Sequence, residues 1–143
     1  MNKTGFILAS LVLSMVTGTT VAGDDDGLEA TFRQLVKNKL AAFNREDVTS
    51  TMQYIHTKSP EYSSTQNVLR GQFDALDART KLIDLHYMGH DDEFAVARVK
   101  LKTVNESGAS FEANVVDTIA VFHLEDGVWK YWSDHILGVE FGK

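Results

Sequence analysis

A single imidazole, His135, closes the run Leu124-Glu125-Asp126-Gly127-Val128-Trp129-Lys130-Tyr131-Trp132-Ser133-Asp134-His135. A histidine at the mouth of a pocket can bind a ligand or move a proton, because imidazole titrates near neutral pH. The structural alternative is a strand-end histidine satisfied by a neighbouring hydroxyl. Asp117 and Asp134 invite a carboxylate pair, one acid raised in pKa and the other ionised. His86 and His90 are four apart, a spacing that suits a metal on a helix. The local pattern there is strand and turn, where four residues span about 13 Å, too wide for one zinc ion. His56 and His123 complete no ligand spacing, and Gly89-His90-Asp91-Asp92-Glu93 lacks the alternating oxygen ligands of a calcium loop, so no metal is expected. Arg98, Lys100 and Lys102 alternate with Ala97, Val99 and Leu101, which reads as a solvated sheet face before an anion site. The chain has no Gly-rich phosphate loop, nucleotide fingerprint or nucleophile elbow, and no cofactor is expected.

These groups must be positioned by helices followed by strands. Leu28, Phe32, Leu35, Val36, Leu40 and Phe43 recur at the helical period, with Asn44 as a stop. Asp47 can cap a second helix with Val48, Met52 and Ile55 on one face and Tyr54 beside it. Residues 57–64 read as a loop, because Pro60 disfavours helix at Ser59. Thr65 can cap a third helix carrying Val68, Leu69, Phe73 and Leu76. After Thr80 the period becomes two, predicting strands over 82–88, 93–104, 111–124 and 128–137. The turns fall at 89–92, 105–108 and Asp126-Gly127. An α+β domain with three helices packed on one face of an antiparallel four-strand meander follows. Asp-Gly between β-favouring runs is a two-residue hairpin signal. A regular ladder from it pairs Phe122 with Tyr131, Ala120 with Ser133 and Thr118 with His135, placing Asp117 and Asp134 on the opposite face. A bulge would shift the register by one and reverse that order. Both faces are rich in large apolar residues, more than a half-solvated sheet needs. Helices can cover one; a second copy of the chain is the simplest cover for the other, so a homodimer through the sheet face is expected.

Lys3, the uncharged apolar run 6–16 and Thr20-Val21-Ala22 form a leader with cleavage expected after Ala22 or Gly23. The apolar run is too short for a spanning helix, which needs about 20 residues. Residues 1–22 are therefore expected to be a signal peptide and 23–143 one exported domain, periplasmic or secreted. The net charge of −6 over 143 residues gives no basic footprint for nucleic acid or an anionic membrane. No cysteine is present, which excludes disulfides, a thiol nucleophile and thiolate-bound metal. Asn105-Glu106-Ser107 fits an N-glycosylation acceptor in a predicted turn.

The order of helices, Pro-containing loop, helix and meander, with "AFNREDVTSTMQYI" and "VFHLEDGVWKYW", resembles the nuclear transport factor 2-like superfamily. Within it the chain looks most like the SnoaL-like and ketosteroid-isomerase-like branch, in small exported bacterial versions. Gly127, Trp129, Lys130 and His135 match a Gly-x-Trp-Lys-Ile, His-x-His pattern of many relatives; Tyr131 stands at the Ile position and Ser133 replaces the first His. The resemblance implies a cone whose curved sheet wraps the helices around an apolar cavity, usually in a homodimer. It covers isomerases, dehydratases, cyclases and non-catalytic proteins, so activity does not follow from fold. Ketosteroid isomerases use a helix tyrosine, an acidic base and a strand acid; here Lys39 or Leu40, a residue between Ser59 and Ser63, and Ala120 fall at those places. Only Glu61 could substitute, so that apparatus is not expected. The expected function is binding of a small apolar or aromatic ligand by Tyr54, Phe73, Thr118, Phe122, Tyr131, Ser133 and His135. The alternatives are a lyase or isomerase with His135 as general base and Tyr54 or Tyr131 as donor, and an interaction subunit using the sheet face.

Overall fold

The computed structural model describes residues 25–108 and 111–142; the expected leader and its cleavage site lie outside the described residues. Three helices, α1 (Asp25–Phe43), α2 (Val48–Met52) and α3 (Tyr62–Ala75), precede four strands, β1 (Leu76–His90), β2 (Phe94–Gly108), β3 (Asn114–Glu125) and β4 (Val128–Phe141). The strands form one antiparallel sheet in the order β1-β2-β3-β4, curved and unclosed, with the helices on its concave side. This is the expected α+β cone. No helix of the described residues is long and apolar enough to cross a membrane.

The apolar stripe of α1 fixes the centre. Leu28, Phe32, Val36 and Leu40 are buried against Leu85, Ala95, Ala97, Val99, Ala120 and Phe122 of the sheet. The alanines of β2 and β3 leave room for the Phe32 ring, which stacks on Phe122 at 4.4 Å and meets Trp129 edge-on at 5.5 Å. These rings form the centre of the helix–sheet core. Asp47 caps α2 as anticipated, accepting from Ser50 N–H at 2.9 Å. The third helix starts three residues before Thr65. Glu61 stands at the cap position without a side-chain capping bond, and Ser59 supports the turn before it: its hydroxyl accepts from Glu61 N–H at 3.0 Å and its carbonyl from Tyr62 N–H at 3.1 Å. That helix ends at Ala75, and Leu76 opens β1 instead of closing the helix.

Both sheet edges are partly covered. On β1, the Asn44 side chain acts like a neighbouring peptide, donating to Thr80 O and accepting from Thr80 N–H, both at 2.8 Å. Further along, Arg33 donates to Leu85 O at 2.7 Å and Glu29 accepts from Tyr87 N–H at 3.2 Å. On β4, residues 54–59 run alongside the first half of the strand. Tyr131 N–H donates to Tyr54 O and His56 N–H to Tyr131 O, both at 2.8 Å, and Ser59 Oγ donates to Trp132 O at 2.6 Å. Among the described residues no strand pairs with the outer edge of the second half of β4, where Ile136, Leu137, Val139 and Phe141 are exposed.

The β3–β4 hairpin turns as its Asp-Gly pair requires, Asp126 and Gly127 both having positive φ (52° and 78°). Pairing follows the regular ladder as far as Phe122–Tyr131 and then shifts. Trp132 is an extra residue, so Val121 pairs with Ser133, Ala120 with Asp134 and Ile119 with His135. The expected Ala120–Ser133 and Thr118–His135 pairs are thereby corrected, since a bulge offsets every later residue by one. A second shift places Thr118 opposite Ile136 and Asp117 opposite Gly138. The turn expected at 105–108 is instead the end of β2, with Asn105 paired to Ala78, so the glycosylation triplet lies in a strand.

Truncating the ring at the helix–sheet centre should be costly. Phe32→Ala is expected to lower unfolding free energy by about 3–5 kcal/mol, measured by urea denaturation with an unchanged m-value.

Candidate functional site

The bulge at Trp132 decides which chemistry faces the helices. Asp134, opposite the buried Ala120, joins Tyr131 on the concave side, whereas Ser133 and His135 join Val121 and Ile119 on the convex side. His135 is exposed, and its Nε2 lies 3.2 Å from Ser133 Oγ. It stands across the sheet from Tyr131, and it shares the convex face with Asp117. Asp117 is engaged there by Arg98, whose Nε donates at 2.9 Å and Nη2 at 2.5 Å, with Lys100 at 4.0 Å. The guanidinium holds the Asp117 carboxyl below its usual range. Asp117 and Asp134 are therefore on opposite faces and form no pair. The basic stripe is anchored by this ion pair along a shallow groove of about 170 Å³ between β2, β3 and β4.

Of the expected ligand-binding residues, Phe122 and Tyr131 do come together, their rings 4.8 Å apart and both buried. Thr118 is buried on the same face. Tyr54 is half-buried and contributes its carbonyl to β4, while Phe73 packs edge-on against Phe43 at 5.2 Å. The Phe and Tyr rings are thus spent largely on packing.

The opening that remains on the concave side is a cleft of about 30 Å³, lined by Lys39, Ile55, Ser59, Glu61, Thr65 and residues 131–134. That volume holds a water-sized group. Lys39 descends from α1 with its side chain 19% exposed, and its Nζ lies 3.6 Å from the centre of the Tyr131 ring. The Asp134 carboxylate is 3.9 Å from Nζ, beyond hydrogen-bond reach. Burial pushes the Lys39 ammonium pKa down, while Asp134 and Glu61 act against that shift. Burial, with help from the Asp134 charge, pushes the Tyr131 phenol well up, so it stays protonated as a donor. Lys39 and Glu61 were noted in the sequence only by position; Asp134 was assigned to the other face. Alternation carries no mark of a bulge, and this is why the cluster was missed.

A second cluster holds the loop to the hairpin. Glu125 accepts from Lys130 Nζ at 2.6 Å, from Thr57 N–H at 3.0 Å and from the Thr57 hydroxyl. Behind it, His56 is buried edge-on to His123 (4.6 Å) and Trp132 (5.0 Å). The His56 Nδ1 accepts from Lys58 N–H at 3.0 Å, so in the neutral ring the proton sits on Nε2. His123 stacks on Trp132 at 4.9 Å. His86 lies opposite Arg98 on the sheet, and His90 Nδ1 contacts the Tyr87 hydroxyl. Among the described residues no three His, Asp or Glu side chains gather as a metal site.

The Lys130 and Thr57 bonds lower the Glu125 pKa from 4.5 to about 2. A folded pKa below the unfolded one stabilises the fold fully above pH 4.5, and that contribution is lost as pH falls toward about 2. Urea denaturation of wild type and Glu125→Gln should therefore converge across that window, the variant being less stable at pH 7 and flatter below pH 4.5.

The family model described as "Anti-sigma-I factor RsgI9, C-terminal domain" matches residues 34–141. No curated protein matches the chain. Among solved structures, an NTF2-like protein of unknown function from Pseudomonas putida superposes with a TM-score of 0.64 at 12% identity, over 80% of this chain and 88% of that one. A ketosteroid isomerase-like protein from Erwinia carotovora atroseptica gives 0.56 at 13% identity, over 77% and 96%. A protein of unknown function with a cystatin-like fold from Nostoc punctiforme gives 0.59 at 13% identity, over 75% and 87%. At such identities the likeness is one of fold alone, shared with proteins described as NTF2-like, ketosteroid isomerase-like and cystatin-like.

Proposed function

The chain belongs to the family of the anti-sigma-I factor RsgI9 C-terminal domain, and from that premise we propose that it is an exported binding domain for a small uncharged molecule. The family description names a regulatory protein, which favours binding over turnover. The observation that carries the reading is the convergence of Lys39, Glu61, Tyr131 and Asp134 from α1, the 53–61 connection and β4 at one opening. One cation and two carboxylates leave that opening with no surplus positive charge, so a neutral polar head suits it better than an anion. The apolar or aromatic ligand expected from the sequence is thus narrowed to one with a small polar end, because the rings are packed together.

The isomerase or lyase reading with His135 as base gains no support, since that residue is exposed on the convex side. Binding should appear in a thermal-shift screen of short amides, alcohols, ketones and aldehydes. The expected result is a rise in Tm with at least one class, reduced by Asp134→Leu. Absence of any rise across the set would overturn the reading.

Dimerisation through the convex face and export belong to the same proposal. Val96, Ile119, Val121 and Trp132 are only partly buried there, and Leu137 is exposed. Light scattering of protein recovered outside the cytoplasm should give a dimer whose chains begin at Gly23 or Asp24. A compact monomer at micromolar concentration, or an N-terminus retaining the leader, would count against it.

A further inference from the structure

Lys39, together with the more exposed Lys100 at 4.0 Å from Asp117, is held farther from its carboxylate than the other paired lysines and arginines of the described residues. Arg79, Arg98 and Lys130 lie 2.5, 2.5 and 2.6 Å from their carboxylates. Lys39 Nζ is held at 3.9 Å from Asp134 by its seat on the Tyr131 ring. Among the described residues no buried polar side-chain atom lacks a hydrogen-bond partner. An amine that makes no hydrogen bond must therefore reach solvent, and it does so through the cleft. Its side chain is largely buried and lines the cleft, with a carboxylate 3.9 Å from its tip. This is the arrangement of a nucleophilic amine with a proton acceptor beside it.

The geometry points to Lys39 as a covalent capture site for small neutral aldehydes or ketones, forming an imine with Asp134 as the proton relay. This inference rests on the cleft being the binding site. In the first step the Nζ lone pair attacks the carbonyl carbon, a C–N bond forms, and the carbonyl π electrons move to oxygen. The proton lost from nitrogen passes through Asp134 to that oxygen, giving a carbinolamine. Loss of the hydroxyl as water, with the second N–H proton leaving through Asp134, gives the C=N bond. The balance is one carbonyl and one amine to one imine and one water, with no oxidant or reductant.

The surroundings select the carbonyl. The groups facing Nζ are Tyr131 and Asp134 on β4 and Glu61 before α3. Two carboxylates against one amine disfavour a keto acid, and a cleft this small favours an unhindered carbonyl, such as a terminal aldehyde, whose tail stays outside it. Burial lowers the ammonium pKa, which raises the fraction of free amine at neutral pH relative to an exposed lysine.

Butanal with sodium cyanoborohydride tests this on the full folded domain, because the reductant fixes an imine as a butylamine. The first adduct should map to Lys39 by peptide mass spectrometry, and its rate should reach half-maximum at lower pH than that of exposed lysines. Lys39→Arg should abolish it while keeping the Tm close to wild type, and Asp134→Asn should slow it by about 100-fold. Labelling spread over exposed lysines without preference for Lys39, or an unchanged first adduct in Lys39→Arg, overturns the inference. Butyramide, which cannot form an imine, separates the two readings. A Tm rise with butyramide but no preferential adduct removes covalent capture and leaves binding standing, whereas no response to either removes both.

Discussion

One extra residue in β4 governs the arrangement of this molecule. Trp132 has no partner of its own on β3, so the strand beyond it presents the opposite alternation to the one its hairpin began with. Before the bulge, Tyr131 faces α1; after it, Asp134 does. The two therefore project to the same side at a spacing of three, which regular β alternation forbids. Lys39 comes to rest between them. The displaced Trp132 ring serves a second purpose on the convex side, where His123 stacks on it and His56 meets its edge.

The 53–61 connection depends on the same place. Its backbone pairs with Tyr131, and Ser59 donates to the Trp132 carbonyl, which a bulge leaves turned away from the ladder. Ser59 also accepts from Glu61 N–H, so one hydroxyl ties the start of α3 to β4 and sets Glu61 at the cleft. At the other end of the segment, Glu125 gathers Thr57 and Lys130. The connection that borders the cleft is thus held at both ends by side-chain hydrogen bonds to β4 and the hairpin.

The fold was legible because its signals are local. The stripe from Leu28 to Leu40, the Asp47 cap and the Asp-Gly turn each specify their own element with few neighbours involved. Boundaries were less so: Leu76 fits the helical stripe, yet its backbone pairs with Gly108 as the opening of β1. The site was legible in part. Phe122 and Tyr131 were placed on the right face because they precede the bulge, while His135 and Asp134 follow it and exchange faces. Nothing in Tyr131-Trp132-Ser133 marks the insertion, because its cause is tertiary: the indole packs with His56, His123 and Phe94, which are distant in sequence. Phe32, foreseen only as part of a stripe, also decides that the interior is packed.

The two halves of β4 meet water differently. Residues 54–59 occupy the hydrogen-bonding edge of the first half, but among the described residues no strand pairs with the outer edge of the second half, where Ile136, Leu137, Val139 and Phe141 are exposed. A bare edge of this kind is a template for intermolecular cross-β growth. The second bulge, at Leu137, twists the strand out of the flat shape that stacking needs. The irregularity that builds the cleft is therefore of one kind with the irregularity that opposes edge-to-edge stacking.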